Sequence, residues 1–195
     1  SRSVEFAKKF GVPFEVRSSL NNNPGTIVKE ETANMENVVV RGVSLDKNQA
    51  KVTLVGVPDR PGVASRIFKT LSEAAVNVDM IVQNISPDGD ATDLTFTVAK
   101  GDLDKALQVI HDSNGNLGAR RIEPDPDVVK VSVIGVGMRS HAGVAGSMFE
   151  ALAEKGINIQ LISTSEIKIS VLISEDYLEL ALRALHTAYG LDTDE

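Results

Sequence analysis

One sequence pattern occurs twice in this chain, and it restricts the possible folds more than any other feature. Residues 52–83 and 131–164 each contain an apolar strand, a glycine turn, an amphipathic helix, a short break and a second apolar strand. In both helices the apolar residues recur at the spacing of one helical face, which predicts packing against a sheet. The chain therefore contains one folding unit twice.

Each copy continues with a further strand and a second helix. The strands are predicted at 92–100 and 166–174, and the helices contain the segments at 106–111 and 181–186. The order β-α-β-β-α, completed by one more strand, defines the ferredoxin-like unit. The sequence therefore predicts an α+β fold with two βαββαβ domains in tandem.

The two copies differ in the source of their last strand. The first copy is followed by an apolar segment at 117–124 and by the stretch EPDPDV, which predicts a junction. After His186 only TAYGLDTDE remains, so the second copy must take its edge strand from elsewhere. The apolar run at 36–46 has no other assignment. We therefore predict that the first domain is inserted in the second.

Composition argues against several classes of function. The formal charge of -7 is spread along the chain, so nucleic acids and anionic membranes are poor candidate partners. Cysteine is absent, which excludes disulfides and thiolate metal sites and favours a reducing, cytoplasmic location. No apolar run approaches the roughly 20 residues of a membrane-spanning helix. His111, His141 and His186 lie far apart without partners at ligand spacing, so we expect no metal site and no catalytic residues.

The turn DRPG, residues 59–62, is the first candidate binding site. It joins a strand to a helix, and free N–H groups at a helix N-terminus favour negative charge. Amides near Gly62, Val63 and Ala64 are therefore suited to the carboxylate of a small zwitterionic ligand. The structural alternative is that Asp59 caps the helix and Gly62 only permits close packing. The turn by itself leaves both interpretations open.

Asp79 and Gln83 lie on the strand that follows this helix. Their separation of four residues predicts side chains on the same face of the strand. Because a buried aspartate is costly without a partner, the alternative is that Asp79 is an exposed edge residue. In the second copy the turn at 137–143 is longer and has no acid at the place of Asp59, which predicts that the pocket is not duplicated.

Four segments resemble the C-terminal part of the aspartokinase family, which contains paired ACT domains: VEFAKKFGVPFEVRSS, KVTLVGVPDRPGVA, NVDMIVQN and NIQLISTSEIKISVLI. The likeness covers essentially the whole chain. It implies that an ACT domain at 48–124 is inserted in a second one formed by 33–47 and 125–190. It also assigns 1–32 to the end of an amino-acid kinase domain and leaves 191–195 as a tail.

The resemblance also implies a function. A module of this kind binds L-threonine, L-lysine or both, and so regulates aspartate phosphorylation in lysine, threonine and methionine biosynthesis. It is expected to form a homodimer through its ACT domains and to associate with a full-length catalytic chain. In the family the ATP and Mg²⁺ sites lie upstream of the matched segment. The chain alone is therefore expected to be inactive and to carry no cofactor, as a regulatory fragment or as the short subunit that some bacteria make from the same gene.

The resemblance assigns effector contacts to the first copy and to a neighbouring second copy. The assigned residues are Asp59, Gly62, Val63, Ala64, Asp79 and Gln83 in the first copy, and Asn158, Ile159, Ser165 and Glu166 in the second. One alternative is an ACT sensor of another biosynthetic enzyme, against which the N-terminal segment argues. The other is a free-standing enzyme, against which the lack of a nucleophile-base pair or a metal-ligand set argues.

Overall fold

The structure is a computed structural model that describes residues 2–29, 40–85, 91–135 and 143–192. The N-terminal segment forms a small piece by itself. It contains helix α1 (Arg2–Lys9) and the antiparallel strands β1 (Phe14–Val16) and β2 (Thr26–Val28). No residue of α1 is buried. This piece therefore has a helix and a hairpin but no apolar core of its own.

The residues from Val40 onward fold around one antiparallel sheet. Its strands are β3 (Val40–Pro58), β4 (Val78–Ile85), β5 (Ala91–Val98), β6 (Arg121–Gly135), β7 (Leu161–Thr164) and β8 (Lys168–Ser174). They lie side by side in the order β4-β5-β3-β6-β8-β7, so β4 and β7 form the two edges. The helices are α2 (Val63–Glu73), α3 (Leu103–Leu117), α4 (Gly143–Glu154) and α5 (Leu178–Ala188).

Two separate apolar cores lie between these helices and one face of the sheet, which we call the helix face. In the first core, Ile67 and Ile110 of α2 and α3 pack with Phe96 of β5. In the second, Met148 of α4 and Leu185 of α5 pack with the apolar strand residues of β6 and β8. The opposite face, the open face, carries a smaller apolar cluster of Met80, Val128, Leu161 and Leu172.

Strands β3 and β6 are each shared by two ferredoxin-like repeats. Residues 40–46 of β3 pair with 130–135 of β6, whereas the later part of β3 pairs with β5 and with 121–128 of β6. Repeat one therefore consists of the later part of β3, α2, β4, β5, α3 and the start of β6. Repeat two consists of the rest of β6, α4, β7, β8, α5 and the first part of β3. The predicted insertion of one domain into the other is confirmed.

The junction between the repeats lies inside strands rather than in a loop. The stretch EPDPDV continues β6 without interruption, and Pro124 lies opposite Val52. Strand β8 pairs only with residues 128–134 of β6, so the proline-containing part has a neighbour on one side alone. A strand tolerates proline at such an edge because its missing N–H faces no ladder partner.

The strand expected at 117–124 begins later, at Arg121. Helix α3 extends to Leu117, and Gly118 ends it with a left-handed φ of 75°. The side chain of Asn114 secures this end, because it exchanges two hydrogen bonds of 3.1 Å with the backbone of Ala119. The turn expected at 137–143 falls, apart from Gly143, outside the described residues. In the described ranges, no helix is long and apolar enough to cross a membrane.

Candidate functional site

The turn between β3 and α2 leaves backbone amides free at the start of the helix. Gly62 occupies the N-cap position with a left-handed φ of 90°, and no side chain caps the helix. The structural alternative, in which Asp59 caps the helix, is therefore not what the structure shows. The amide of Val63 donates to the carbonyl of Arg60 at 3.3 Å. The amides of Gly62 and Ala64 have no hydrogen-bond acceptor among the described residues.

A cavity of about 330 Å³ lies in front of this turn. The turn and the first residues of α2 form one wall, and residues from β3, β4 and β5 form the others. Half of the predicted site residues line it: Asp59, Gly62, Val63, Ala64 and Gln83. The structure thus brings the helix start and the edge strand β4 to the same place.

The inner wall of the cavity is apolar and buried. Val57, Ile67 and Leu94 line it, and each is exposed by 2% or less. Gln83 lies directly opposite Leu94 in the β4–β5 pairing, so its side chain points to the helix face, where it is exposed. A ligand can therefore place apolar atoms inside and meet the amide of Gln83 at the rim.

Sequence reasoning missed two polar residues of the cavity. Thr92 is buried to 4% exposure, and its hydroxyl donates to the carbonyl of Asn84, so its lone pairs remain available to a donor. It stands two residues before Leu94, and period-two alternation was the signal that could have found it. Arg60 also lines the cavity and adds a positive charge beside the free amides.

The cavity offers complementary groups for a small zwitterion. The amides of Gly62 and Ala64, with the helix dipole and Arg60, suit a carboxylate. The carboxylate of Asp59 and the hydroxyl of Thr92 suit an ammonium group. The volume lies at the lower end of the range of about 300–1,000 Å³ found for small-molecule sites. An amino acid matches this size and charge pattern.

Asp79 does not face the cavity, so the prediction that it shares a face with Gln83 is wrong. The β4–β5 register shifts between Val78 and Ile81. This bulge adds one residue to β4 and turns Asp79 to the open face. There Asp79 contacts Nζ of Lys130 and lies 3.4 Å from Nε2 of Gln49.

The bulge in β4 is stabilised from the neighbouring strand. The amide of Met80 donates to the hydroxyl of Thr97 at 3.1 Å, and both residues are buried. The hydroxyl thus replaces a backbone acceptor that the shifted register does not supply.

The predicted residues of repeat two lie away from this cavity, and none of them lines it. Asn158 is exposed, and Ile159 is half-buried against the core of repeat two. Ser165 and Glu166 are exposed in the turn between β7 and β8, where the Ser165 amide donates to the Lys168 carbonyl at 2.8 Å. These four residues flank strand β7, which is the sheet edge opposite to β4. A shared site with Gln83 therefore stays a prediction about two neighbouring chains.

Two titratable side chains among the described residues have shifted pKa values. No set of three or more histidine or acidic side chains is placed to hold a metal within the described ranges. Burial alone would raise the pKa of Asp46, but hydrogen bonds from Gln49 and Asn48 and the charge of Lys130 lower it overall. Burial raises the pKa of Tyr189 to about 12. Both groups lie outside the cavity lining.

Comparison with known proteins identifies related sequences and structures. A family model described as ACT domain matches residues 52–113 and 131–189. An aspartate kinase of Stutzerimonas stutzeri (strain A1501) is 54% identical over 192 residues, which are 98% of this chain and 46% of that protein. The chain spans about half the length of the curated relatives it matches.

Two solved structures are similar over most of their own length. A chain from the crystal structure of aspartokinase alpha and beta subunits is 51% identical with a TM-score of 0.73, and the match covers 77% of this chain and 99% of that one. The ligand-free regulatory subunit of aspartate kinase from Thermus thermophilus is 41% identical with a TM-score of 0.73, covering 77% and 98%.

Proposed function

Because this chain belongs to the aspartokinase family, of which it represents the regulatory part with two ACT domains, we propose that it binds L-threonine, L-lysine or both as feedback effectors. The observation that supports this best is the cavity of about 330 Å³ with free helix amides at one wall and Gln83 at another.

In this proposal the two charged ends of the amino acid bind near the turn. The α-carboxylate accepts hydrogen bonds from the amides of Gly62 and Ala64, and the α-ammonium lies near Asp59. Gln83 closes the site from β4, and the side chain of the effector contacts the apolar wall. The larger and charged side chain of lysine extends to the open rim, whereas that of threonine stays inside.

A second copy of the chain completes the site. Strands β4 and β7 are edges with unpaired backbone groups, and each exposes an apolar side chain: Ile81 at 52% and Ile162 at 44%. Edges of this kind invite pairing with another chain. If β4 of one copy lies near β7 of its partner, Asn158 and Ile159 of the partner reach the effector. Ser165 and Glu166 then line the same region.

Regulation follows from differential affinity. An effector that binds one arrangement of the ACT domains more tightly shifts the population toward that arrangement. The catalytic domain of aspartokinase, with its ATP and Mg²⁺, would respond through its contact with this module. We further propose that the module acts in the cytoplasm, in lysine, threonine and methionine biosynthesis. Alone, it should not turn over ATP with aspartate.

A thermal-shift screen tests effector binding. L-Threonine or L-lysine should raise the melting temperature of the purified chain, whereas D-threonine and L-alanine should not. At a hundredfold excess over Kd, the stabilisation amounts to about 2.7 kcal/mol, which is several degrees for a chain of this size. A melting temperature that stays unchanged with either L-amino acid at 10 mM would refute the proposal.

Light scattering tests the shared site. At micromolar concentration the chain should have the mass of a dimer, and the mass of a monomer with both effectors present would refute a site shared between two copies.

A further inference from the structure

We infer that Lys130 and Lys51 are positioning residues for effector binding, because each ties the site segment of one repeat to a strand of the other. This inference rests on the proposed function. Lys130 belongs to repeat two, yet its ammonium group contacts Asp79 on β4 of repeat one. Lys51 belongs to repeat one, yet it donates to Oε1 of Gln160, next to Ile159 in repeat two. Neither lysine lines the cavity.

Lys130 holds two carboxylates of different repeats close together. Its side chain is only 13% exposed, and its Nζ lies 3.6 Å from Asp46 as well as in contact with Asp79. Gln49 also bridges both, with Nε2 at 2.7 Å from Asp46 and 3.4 Å from Asp79. A single ammonium group therefore compensates two negative charges at a partly buried site.

Gln49 cannot take over the role of Lys130. It is 5% exposed, it brings no charge, and its Oε1 is already buried without a hydrogen-bond partner among the described residues. Without Lys130, the carboxylates of Asp46 and Asp79 would repel each other across the Gln49 amide. The weaker attachment is that of Asp79, because β4 is an edge strand with a bulge at this point.

A displacement of β4 reaches the effector cavity directly. Asp79 and Gln83 lie on the same strand, on opposite faces, with only three residues between them. Movement of Asp79 away from the open face would shift the strand and the Gln83 amide together. Lys130 thus acts on the cavity through the strand and not by contact with a ligand.

Lys51 fixes the other half of the proposed shared site in the same way. It lies on β3, 3.2 Å from Asp125 on β6, and its side chain is 20% exposed. This ion pair orients the ammonium group toward the side chain of Gln160. The backbone N–H of Gln160 in turn donates to the backbone carbonyl of Leu172 at 2.8 Å. The segment that carries Asn158 and Ile159 is therefore attached to repeat one. Both site segments of a chain depend on lysines of the opposite repeat, which couples the two edges.

The test compares Lys130→Met and Lys51→Met with the matched control Lys100→Met. Lys100 also joins the repeats, through Glu175 of repeat two at 2.5 Å, but neither residue belongs to a site segment. Calorimetric titration with L-threonine and L-lysine should show affinity about threefold to thirtyfold weaker in Lys130→Met and Lys51→Met. Lys100→Met should bind like the wild type. Adding Asp79→Asn to Lys130→Met should restore part of the affinity, because it removes the repulsion.

Hydrogen exchange of the ligand-free chain gives a readout that needs no effector. The amides of β4 should exchange faster in Lys130→Met, and those of residues 158–161 faster in Lys51→Met, with neither change in Lys100→Met. Wild-type affinity and exchange in both variants, or equal effects in Lys100→Met, would overturn the inference. If the wild type binds neither amino acid, the proposed function fails, and the exchange data still decide whether the lysines position the two segments.

Discussion

Replacing Gln83 should separate effector binding from folding. In the free chain its side chain is exposed on edge strand β4, so Gln83→Ala should change the free energy of unfolding by less than about 0.5 kcal/mol. In the complex of Gln83→Ala, the bound zwitterion would keep unpaired the polar group that Gln83 contacts in the wild type, which costs about 1–3 kcal/mol of binding free energy. That loss corresponds to an affinity about fivefold to 150-fold weaker. Calorimetric titration of L-threonine and L-lysine measures it.

Asn84→Ala is the matched control for Gln83→Ala. Asn84 is the next residue of β4, is also exposed, and its side chain points to the opposite face, away from the cavity. It should bind both amino acids like the wild type. Asn158→Ala should resemble Gln83→Ala, and the double variant should lose less than the sum of the two, because both contact one ligand. Wild-type affinity in Gln83→Ala and Asn158→Ala would refute the shared site.

Three further predictions concern stability and ionisation. Gly62→Ala should lower the free energy of unfolding by roughly 1–2 kcal/mol, because φ is 90° there, whereas Gly146→Ala inside helix α4 should raise it by roughly 0.5–1 kcal/mol; urea unfolding that shows equal effects would contradict this. Ultraviolet titration should show one tyrosine ionising near pH 12, and this transition should be lost in Tyr189→Phe and kept in Tyr177→Phe. Because the pKa of Tyr189 is raised in the folded chain, the free energy of unfolding should fall as the pH rises from about 10 to 12. The pKa of Asp46 is lowered in the folded chain, so its contribution is present above about pH 4 and lost on acidification; Asp46→Asn should lose less stability than the wild type between pH 5 and pH 3.

The architecture could be predicted because it depends on two features that the sequence shows directly, the local apolar periodicity and the number of strands in each copy. Apolar periodicity shows each helix and strand, and the missing last strand of the second copy leaves 36–46 as its source. The structure confirms this from Val40 onward, where β3 supplies that strand. The stretch EPDPDV lies where β6 passes from one repeat to the other, but it does so inside a strand. Proline needs only a strand side without a hydrogen-bonding neighbour, and the length of β8 decides whether that side is free.

The site was predictable where a turn fixes the geometry and unpredictable where strand register does. Gly62 and the free amides follow from a short strand-to-helix connection, which the turn sequence shows. The orientation of Asp79 depends on a one-residue bulge, and that bulge is stabilised by Thr97 on another strand. No pattern around Asp79 signals this. The contacts of Lys130 and Lys51 likewise arise only when the two repeats meet.

The most direct test of the account is an amide NMR titration of the isotope-labelled chain with L-threonine and then L-lysine. At least one of them should cause saturable shifts that centre on the backbone amides of Gly62, Val63 and Ala64 and on the side-chain NH₂ of Gln83. In Gln83→Ala, the same amides should shift only at a concentration at least fivefold higher. Saturable shifts that centre elsewhere, or no shifts with either amino acid, would show that the cavity before α2 is not the effector site.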